Sequence, residues 1–300
     1  MNVALIGYGY WGKIIHKYIS NNKELNLIGI YSPHYESSIS IDELINKGMQ
    51  CAFVCTPIET HYEIVSFLLE NRINVFCEKP LCKKYIETEK LIEIAKLNKV
   101  ILFTDYIYTF SKSINLIKQK IKKIKYISFI EMELSQFGNF YKNDDVIDVL
   151  GVHLLSVLSY WFENEKDIKV KEIIPVINNS NGLIQSVVIY LQFGDIPVCM
   201  KCNLLGEKKV RKIIISYKNG MIKFDMLANE TVKIFEFCEE KGIWRETINE
   251  SYNYNEGNNL ETSINFFISC VKGECNNFLN LMITKKVSEV NDKIKSICNF

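Results

Sequence analysis

The sequence predicts an α/β architecture in two parts: a doubly wound parallel sheet over residues 1–106, and an α+β domain with a large, mostly antiparallel sheet over residues 107–300. Three observations carry this. Short, continuously apolar runs alternate with helical patterns through the first hundred residues, as in βαβ units whose strands are covered on both faces. A glycine-rich turn joins the first run to the first helix. Beyond residue 126 the runs instead alternate apolar with polar residues, notably Val187, Ile189, Leu191 and Phe193, which is a hairpin pattern.

The first strand is Asn2 to Ile6, and Gly7-Tyr8-Gly9-Tyr10-Trp11-Gly12 follows it directly, opening a helix that runs to about Ser20. Gly7 permits the tight turn, Gly9 lets the backbone approach a pyrophosphate, and Gly12 lets helix and strand pack closely. In that context the pattern is the dinucleotide fingerprint of a Rossmann domain, and it assigns Gly7, Gly9, Tyr10, Trp11 and Gly12 to a cofactor. The second strand, Leu25 to Ile30, ends in Tyr31-Ser32-Pro33-His34. An NAD enzyme commonly presents an acid here to the adenosine ribose. Ser32 stands there instead, and an acid would repel a 2′-phosphate that His34 could help to hold. NAD and NADP both stay open, with NADP favoured.

A third strand, Cys51 to Cys55, is ended by Thr56-Pro57, and a helix from about Glu59 to Asn71 carries His61 in its first turn, on the side where a cofactor would lie. The fourth strand, Ile73 to Cys77, delivers Glu78-Lys79-Pro80 at its carboxyl end, which is where ligands bind in open α/β sheets. Pro80 fixes the local backbone and permits a cis bond. A helix from Ile86 to Asn98 and a strand from Val100 to Thr104 close the sheet at Asp105-Tyr106.

The bulk numbers narrow the function. A net charge of +1 gives no sign of a nucleic-acid surface. Lys118, Lys120, Lys122, Lys123 and Lys125 flank an apolar stripe of Ile114, Ile117, Ile121 and Ile124, which reads as a solvated helix face. The ten cysteines fall mostly inside apolar elements, which argues for a reducing cytoplasm. Cys199-Met200-Lys201-Cys202 has half a zinc spacing but no second pair nearby, so no metal is expected. No apolar run approaches the ~18 residues of a membrane span, and the chain opens on a strand where a signal peptide would stand.

In the second part, Tyr126 to Leu134 reads as a strand, Gln136 to Asp144 as a polar loop, and Asp145 to Phe162 as a helix containing Asp148 and His153. Strands follow at Val170 to Ile177, Leu183 to Phe193, Val198 to Leu205, Arg211 to Tyr217, Met221 to Asp225 and Thr231 to Phe237, with turns at Asn181-Gly182 and Asn219-Gly220. Two helices, about Leu260 to Val271 and Thr284 to Ile297, finish the chain. An open sheet with one apolar face predicts a homo-oligomer, a dimer or tetramer.

Gly7-Tyr8-Gly9-Tyr10-Trp11-Gly12, Thr56-Pro57-Ile58-Glu59-Thr60-His61-Tyr62, Glu78-Lys79-Pro80-Leu81 and Asp105-Tyr106-Ile107-Tyr108, in this order, resemble the glucose-fructose oxidoreductase / inositol dehydrogenase / rhizopine-catabolism (Gfo/Idh/MocA) family. The match is specific to about residue 155, and its fingerprint is most similar to the branch acting on nucleotide-linked amino sugars. The resemblance implies NAD(P)-dependent oxidation or reduction of a sugar or polyol hydroxyl. It puts Lys79 in the active site with the Lys79–Pro80 bond often cis, and Thr56, Pro57, His61 and Glu78 beside the cofactor.

It also implies an Asp and a His four apart on the helix of the second domain, the His as general acid or base. His153 matches, but four residues back stands Val149. Asp148 is one position off, a rotation of about 100° on an α-helix. Tyr106 and Tyr108 are assigned to the substrate. Either His153 or Lys79 can take the hydroxyl proton; His153 is favoured as base, with Lys79 polarising the oxygen. The displaced Asp148 motivates one alternative, a dinucleotide-binding sensor or scaffold that has lost turnover; an imine or enone reductase on the same frame is a further one.

Overall fold

The computed structural model describes residues 1–138, 140, 142–177 and 182–298. The chain divides into two compact units, Met1–Tyr106 with Leu260–Asp292, and Ile107–Asn259 with Lys293–Phe300.

The first unit contains β1 (Asn2–Ile6), α1 (Tyr10–Asn21), β2 (Asn26–Tyr31), α2 (Ile41–Asn46), β3 (Cys51–Val54), α3 (His61–Glu70), β4 (Asn74–Cys77), α4 (Tyr85–Asn98) and β5 (Leu102–Thr104). Its five strands are parallel in the order β2-β1-β3-β4-β5, so the winding reverses between β1 and β3. The central strands are apolar where both faces are buried: Val3 to Ile6 and Cys51 to Val54 are without exposure. The short α2 went unrecognised in the sequence; Ser40 caps it by accepting from the Glu43 N–H at 3.2 Å.

The sequence reading placed residues 260–292 in the second domain, yet they group with the first unit, and the packing explains why. Phe53, Phe76 and Phe103 are register partners on β3, β4 and β5, with ring centroids 5.1 and 5.4 Å apart. Phe267, fully buried on α7 (Asn259–Val271), lies 5.7, 5.6 and 5.9 Å from the three rings. The edge strand β5 is then covered by amides. Thr104 donates its N–H to Asn280 Oδ1 at 3.0 Å, and Asn280 Nδ2 donates to the Thr104 carbonyl at 2.8 Å. Asn277 adds a bond to the Leu102 carbonyl at 2.7 Å. These side chains satisfy backbone groups that an open edge would leave for another chain. Asn280 lies near the start of α8 (Phe278–Cys298).

The second unit contains α5 (Lys112–Ile121), β6 (Ile127–Phe137), α6 (Val152–Trp161), β7 (Ile168–Ile177), β8 (Ile184–Phe193), β9 (Ile196–Asn203), β10 (Leu205–Tyr217), β11 (Gly220–Asp225), β12 (Val232–Glu240) and β13 (Ile243–Tyr252). They form one sheet ordered β13-β12-β11-β10-β6-β9-β8-β7, antiparallel except where β6 meets β9. The expected large, mostly antiparallel sheet is therefore present. The edge strand β13 was not foreseen, since most of its side chains are exposed.

Inward residues such as Met132, Ile189, Met200 and Ile213 are buried. The hairpin at Asn219-Gly220 closes with Tyr217 opposite Gly220. Asn181, expected in the other turn, lies outside the described residues, as do Asn139 and Tyr141 of the polar loop. Cys199 and Cys202 face opposite sides of β9, the second buried and the first half-exposed, so they cannot chelate one ion. Lys118 is not solvated as expected: it is buried, bonded to Glu163 at 2.9 Å and 3.7 Å from the Tyr160 ring centroid. Among the described residues, no helix is long and apolar enough to cross a membrane.

Candidate active site

In the first unit the register assembles the site. Tyr31, Ile6, Val54, Cys77 and Thr104 are partners across the sheet. The next residue of each strand, Ser32, Gly7, Cys55, Glu78 and Asp105, thus forms one row along the carboxyl edge. The backbone bonds confirm that row: Gly7 N–H to Tyr31 O at 2.7 Å, Cys55 N–H to Ile6 O at 2.7 Å, Glu78 N–H to Val54 O at 2.9 Å and Asp105 N–H to Cys77 O at 2.9 Å.

The glycine turn fits a dinucleotide. Gly7 has φ +96°, and a Cβ on it would lie 2.8 Å from the Cys55 carbonyl and the Thr56 nitrogen. A Cβ on Gly12 would lie 2.1 Å from the Gly7 oxygen. These two glycines are therefore required by the fold itself. Gly9 is different: a Cβ there would meet nothing within 4 Å. The first N–H groups of α1 have no intrahelical partner, and Gly9 offers no side-chain cap. A diphosphate suits that combination.

Tyr10 and Trp11 stand exposed on the first turn of α1. Tyr8 packs its ring 4.6 Å from Tyr35 and bonds His16 Nδ1 at 2.9 Å. That aromatic group beside the fingerprint was missed in the sequence, where Tyr35 is an unmarked residue three past Ser32. Ser32 is buried, its N–H held by Ser38 Oγ at 2.9 Å, and His34 is exposed just beyond it.

The Lys79–Pro80 bond is cis, as the sequence allowed. Glu78 is buried, and its Oε2 accepts from the Lys79 N–H at 3.2 Å. Burial pushes the Glu78 carboxyl up to about 7, with the Lys79 charge pulling the other way. Its neighbour Asp105 is buried with Oδ1 accepting from Ser263 Oγ at 2.6 Å, and burial followed by the Glu78 charge drives its carboxyl well above the usual range. Two buried carboxyls thus stand side by side next to Lys79, which itself is half-buried.

Two residues differ from expectation. His61 is 1% exposed, with Nε2 2.9 Å from the Thr56 carbonyl and Nδ1 3.1 and 3.2 Å from the Pro80 and Leu81 carbonyls. Burial pulls its pKa down. It braces the Thr56-Pro57 turn and the loop after Lys79, and has no face left for a ligand. Tyr106 is fully buried in the core of the first unit, so its ring cannot line a substrate cleft.

In the second unit, the helix bearing His153 opens with a π-helical turn over Ile147–Gly151, in which the Val152 N–H reaches back five residues to the Ile147 carbonyl. A π turn absorbs one extra residue. Asp148 and His153, five apart, therefore take the direction that four-apart residues have on a regular helix, which resolves the displacement seen in the sequence. Val149 is the one residue of Val146–Gly151 that is not buried, and it marks the insertion.

Asp148 is 2% exposed and ion-paired to Lys295, near the end of α8; Lys295 also lies 4.0 Å from Asp145. The His153 ring packs against Tyr108, centroids 5.0 Å apart. Tyr108 is buried in turn, which pushes its hydroxyl up, with the Arg211 charge pulling the other way. Neither Lys295 nor Arg211 was singled out by sequence, because each sits in an ordinary helix or strand pattern.

Residues 1–106 match the Gfo/Idh/MocA family, described as an oxidoreductase family with an NAD-binding Rossmann fold. An uncharacterized oxidoreductase of Streptococcus pneumoniae is 27% identical over 131 residues, which is 40% of this chain and 36% of that protein. Among solved structures, UDP-N-acetylglucosamine 3-dehydrogenase GnnA from Acidithiobacillus ferrooxidans superposes with a TM-score of 0.83 at 17% identity, covering 99% of this chain and 97% of that one. A mutant of KijD10, a 3-ketoreductase from Actinomadura kijaniata in complex with TDP-benzene and NADP, gives 0.83 at 10% identity over 99% and 97%. At these identities the likeness is one of fold.

Proposed function

On the premise that this chain belongs to the Gfo/Idh/MocA oxidoreductases, we propose that it moves a hydride between a nicotinamide dinucleotide and the carbon of a sugar hydroxyl or ketone, with a nucleotide-linked amino sugar as substrate. The observation that carries this reading is the glycine turn. Gly7 and Gly12 are packed against backbone, whereas Gly9 opens onto free space at an uncapped helix start. The fingerprint therefore meets a ligand requirement as well as a folding one.

When bound, the nicotinamide supplies the hydride acceptor or donor. Gly7, Gly9 and Gly12 with the first turn of α1 hold the diphosphate, and Tyr10 and Trp11 flank it. Thr56 and Pro57 shape the turn after β3. Ser32 in place of an acid favours NADP, and the NADP complex of KijD10 is in keeping with that choice. In alcohol oxidation His153 takes the hydroxyl proton and Lys79 polarises the oxygen. Asp148 orients and offsets the imidazolium that forms. The π turn supports this assignment over a sensor that has lost catalysis, since it returns Asp148 to the direction the dyad needs.

The outer face of the second unit's sheet leaves Ile174, Val176, Tyr190 and Met221 exposed, which supports pairing with a second copy. Light scattering at graded concentrations reads that directly. The activity is tested by following reduction of NAD and NADP with nucleotide sugars, free sugars and polyols. Turnover of a nucleotide sugar is expected. Cofactor binding with reduction of neither dinucleotide by any of them would overturn the reading.

A further inference from the structure

Arg211 lies on β10 and is 7% exposed, so its guanidinium is held away from bulk water. Its hydrogen bonds are well made. Nη1 donates to the Ser135 carbonyl at 3.0 Å and the Val210 carbonyl at 2.8 Å, and Nη2 donates to Gln136 Oε1. Every one of these acceptors is neutral. Among the described residues no carboxylate is in ion-pair contact with it. Glu256, the acid whose charge acts on Tyr108, spends Oε1 on the Ser113 N–H at 3.1 Å and Oε2 on the Asn259 amide at 3.4 Å. Hydrogen bonds satisfy the donors of a buried cation but do not cancel its charge, and uncompensated charge in a protein interior is costly.

The position of that charge is informative. Arg211 is the register partner of Leu134, and Leu134 of Cys202, whose Sγ would lie 3.7 Å from a Cβ on Gly151, two residues before His153; its charge also acts on Tyr108, whose ring packs on His153. A base that becomes cationic on taking a proton is opposed by a fixed positive charge nearby. An anion brought by the substrate would cancel that opposition only when the right molecule is bound.

We propose that Arg211 is the counter-charge for an anionic group of the substrate, a carboxylate or a phosphoryl group carried near the reacting carbon. With its Nη groups already bonded, the guanidinium acts on either group through its charge. This rests on the reading of His153 as the proton-transfer residue, and it adds to that reading the charge of the substrate. Arg211 then discriminates against neutral sugars and polyols.

Calorimetric titration of the full chain, saturated with NADP so that the cofactor's own phosphate sites are filled, tests this with three probes: glucuronate, glucose 1-phosphate and glucose. One anion is expected to bind at least about tenfold more tightly than glucose, and which anion does so separates the carboxylate from the phosphoryl source. Arg211→Gln is expected to abolish that preference, and Arg211→Lys to keep a weakened one, with NADP affinity unchanged in both.

Equal binding of all three probes by the parent would overturn the proposal, as would an anion preference in Arg211→Gln matching the parent's. Should Arg211→Gln fail to fold, as circular dichroism would reveal, the parent and Arg211→Lys decide, and an unweakened preference in the latter counts against the proposal. An Arg211-dependent preference in a protein that oxidises no sugar would leave this inference standing while the oxidoreductase reading falls.

Discussion

Glu78 and Asp105 occupy adjacent places just beyond the β4–β5 ladder, both buried, one bonded to the Lys79 amide and the other to Ser263. Like charges so close cannot both be carried at low cost, so the pair takes up protons at a higher pH than exposed carboxyls would.

The pair ties stability to pH. Glu78 has a folded value of about 7 against an ordinary 4.5, so the folded state binds its proton more tightly than the unfolded chain does. Its contribution is whole below 4.5 and is lost as pH rises through about 7. The parent is expected to lose stability between about pH 5 and about pH 8. Glu78→Gln, read by urea denaturation, should lose less, by on the order of 3 kcal/mol; the residual slope carries Asp105, which acts in the same direction, and His61, whose lowered pKa acts in the opposite one. Parallel curves for the two proteins would remove Glu78 from this account.

The three fingerprint glycines separate folding from binding. Gly12→Ala forces a methyl to 2.1 Å from the Gly7 oxygen and should lower the melting temperature sharply. Gly9→Ala places its methyl where nothing lies within 4 Å, so the variant should melt like the parent. It should nonetheless bind NADP at least about tenfold more weakly, because the methyl fills the approach to the diphosphate. Fluorescence titration gives the affinity, and unchanged NADP binding by Gly9→Ala would place the cofactor elsewhere.

Much of the fold was legible in residues 1–106 because there each constraint is local. Gly7 and Gly12 announce the turn, and strands buried on both faces are apolar throughout. What escaped depended on pairing. The apolar stripe of α7 reads like any amphipathic helix until Phe267 is seen to close the rings of Phe53, Phe76 and Phe103. The strand β13, exposed over most of its length, shows no alternation. The site divides likewise. Lys79 and His153 were marked by neighbouring residues, whereas Asp105 gained significance only when the register set it beside Glu78, and Arg211 only when folding buried it among neutral acceptors. His61, legible as a candidate ligand, was claimed by backbone carbonyls that no spacing rule reveals.

Phe267→Ala should destabilise the first unit by about 3–5 kcal/mol, since it opens a cavity beside three rings that cannot collapse together. Guanidinium denaturation followed through near-ultraviolet dichroism measures it. A fragment ending at residue 106 should not fold, because it lacks both Phe267 and the Asn277 and Asn280 amides over β5. A cooperative transition in that fragment would show that Leu260–Asp292 is dispensable to the unit.

Lys79→Met is expected to bind NADP as the parent does, while turnover with the substrate found in the screen falls by roughly 10² or more. The loss should appear in kcat with little change in KM, because polarising the oxygen stabilises the transition state more than the ground state. Unchanged turnover would take Lys79 out of the chemistry.

The π turn makes its own prediction. If Ile147–Gly151 is an α-helix carrying one extra residue, removing Val149 should convert it to regular helix and set Asp148 four residues before the histidine. Val149 is the half-exposed member of a buried segment, so its loss deletes little core packing. The shortened protein is expected to fold and to keep turnover within about tenfold of the parent, whereas Asp148→Asn, with both lengths otherwise intact, should cost more. Amide hydrogen exchange over residues 146–153 would report the tighter helix. A shortened chain that folds and binds NADP but has lost turnover as completely as a His153→Ala variant would mean that the five-residue spacing, and not the direction it restores, is what the site requires.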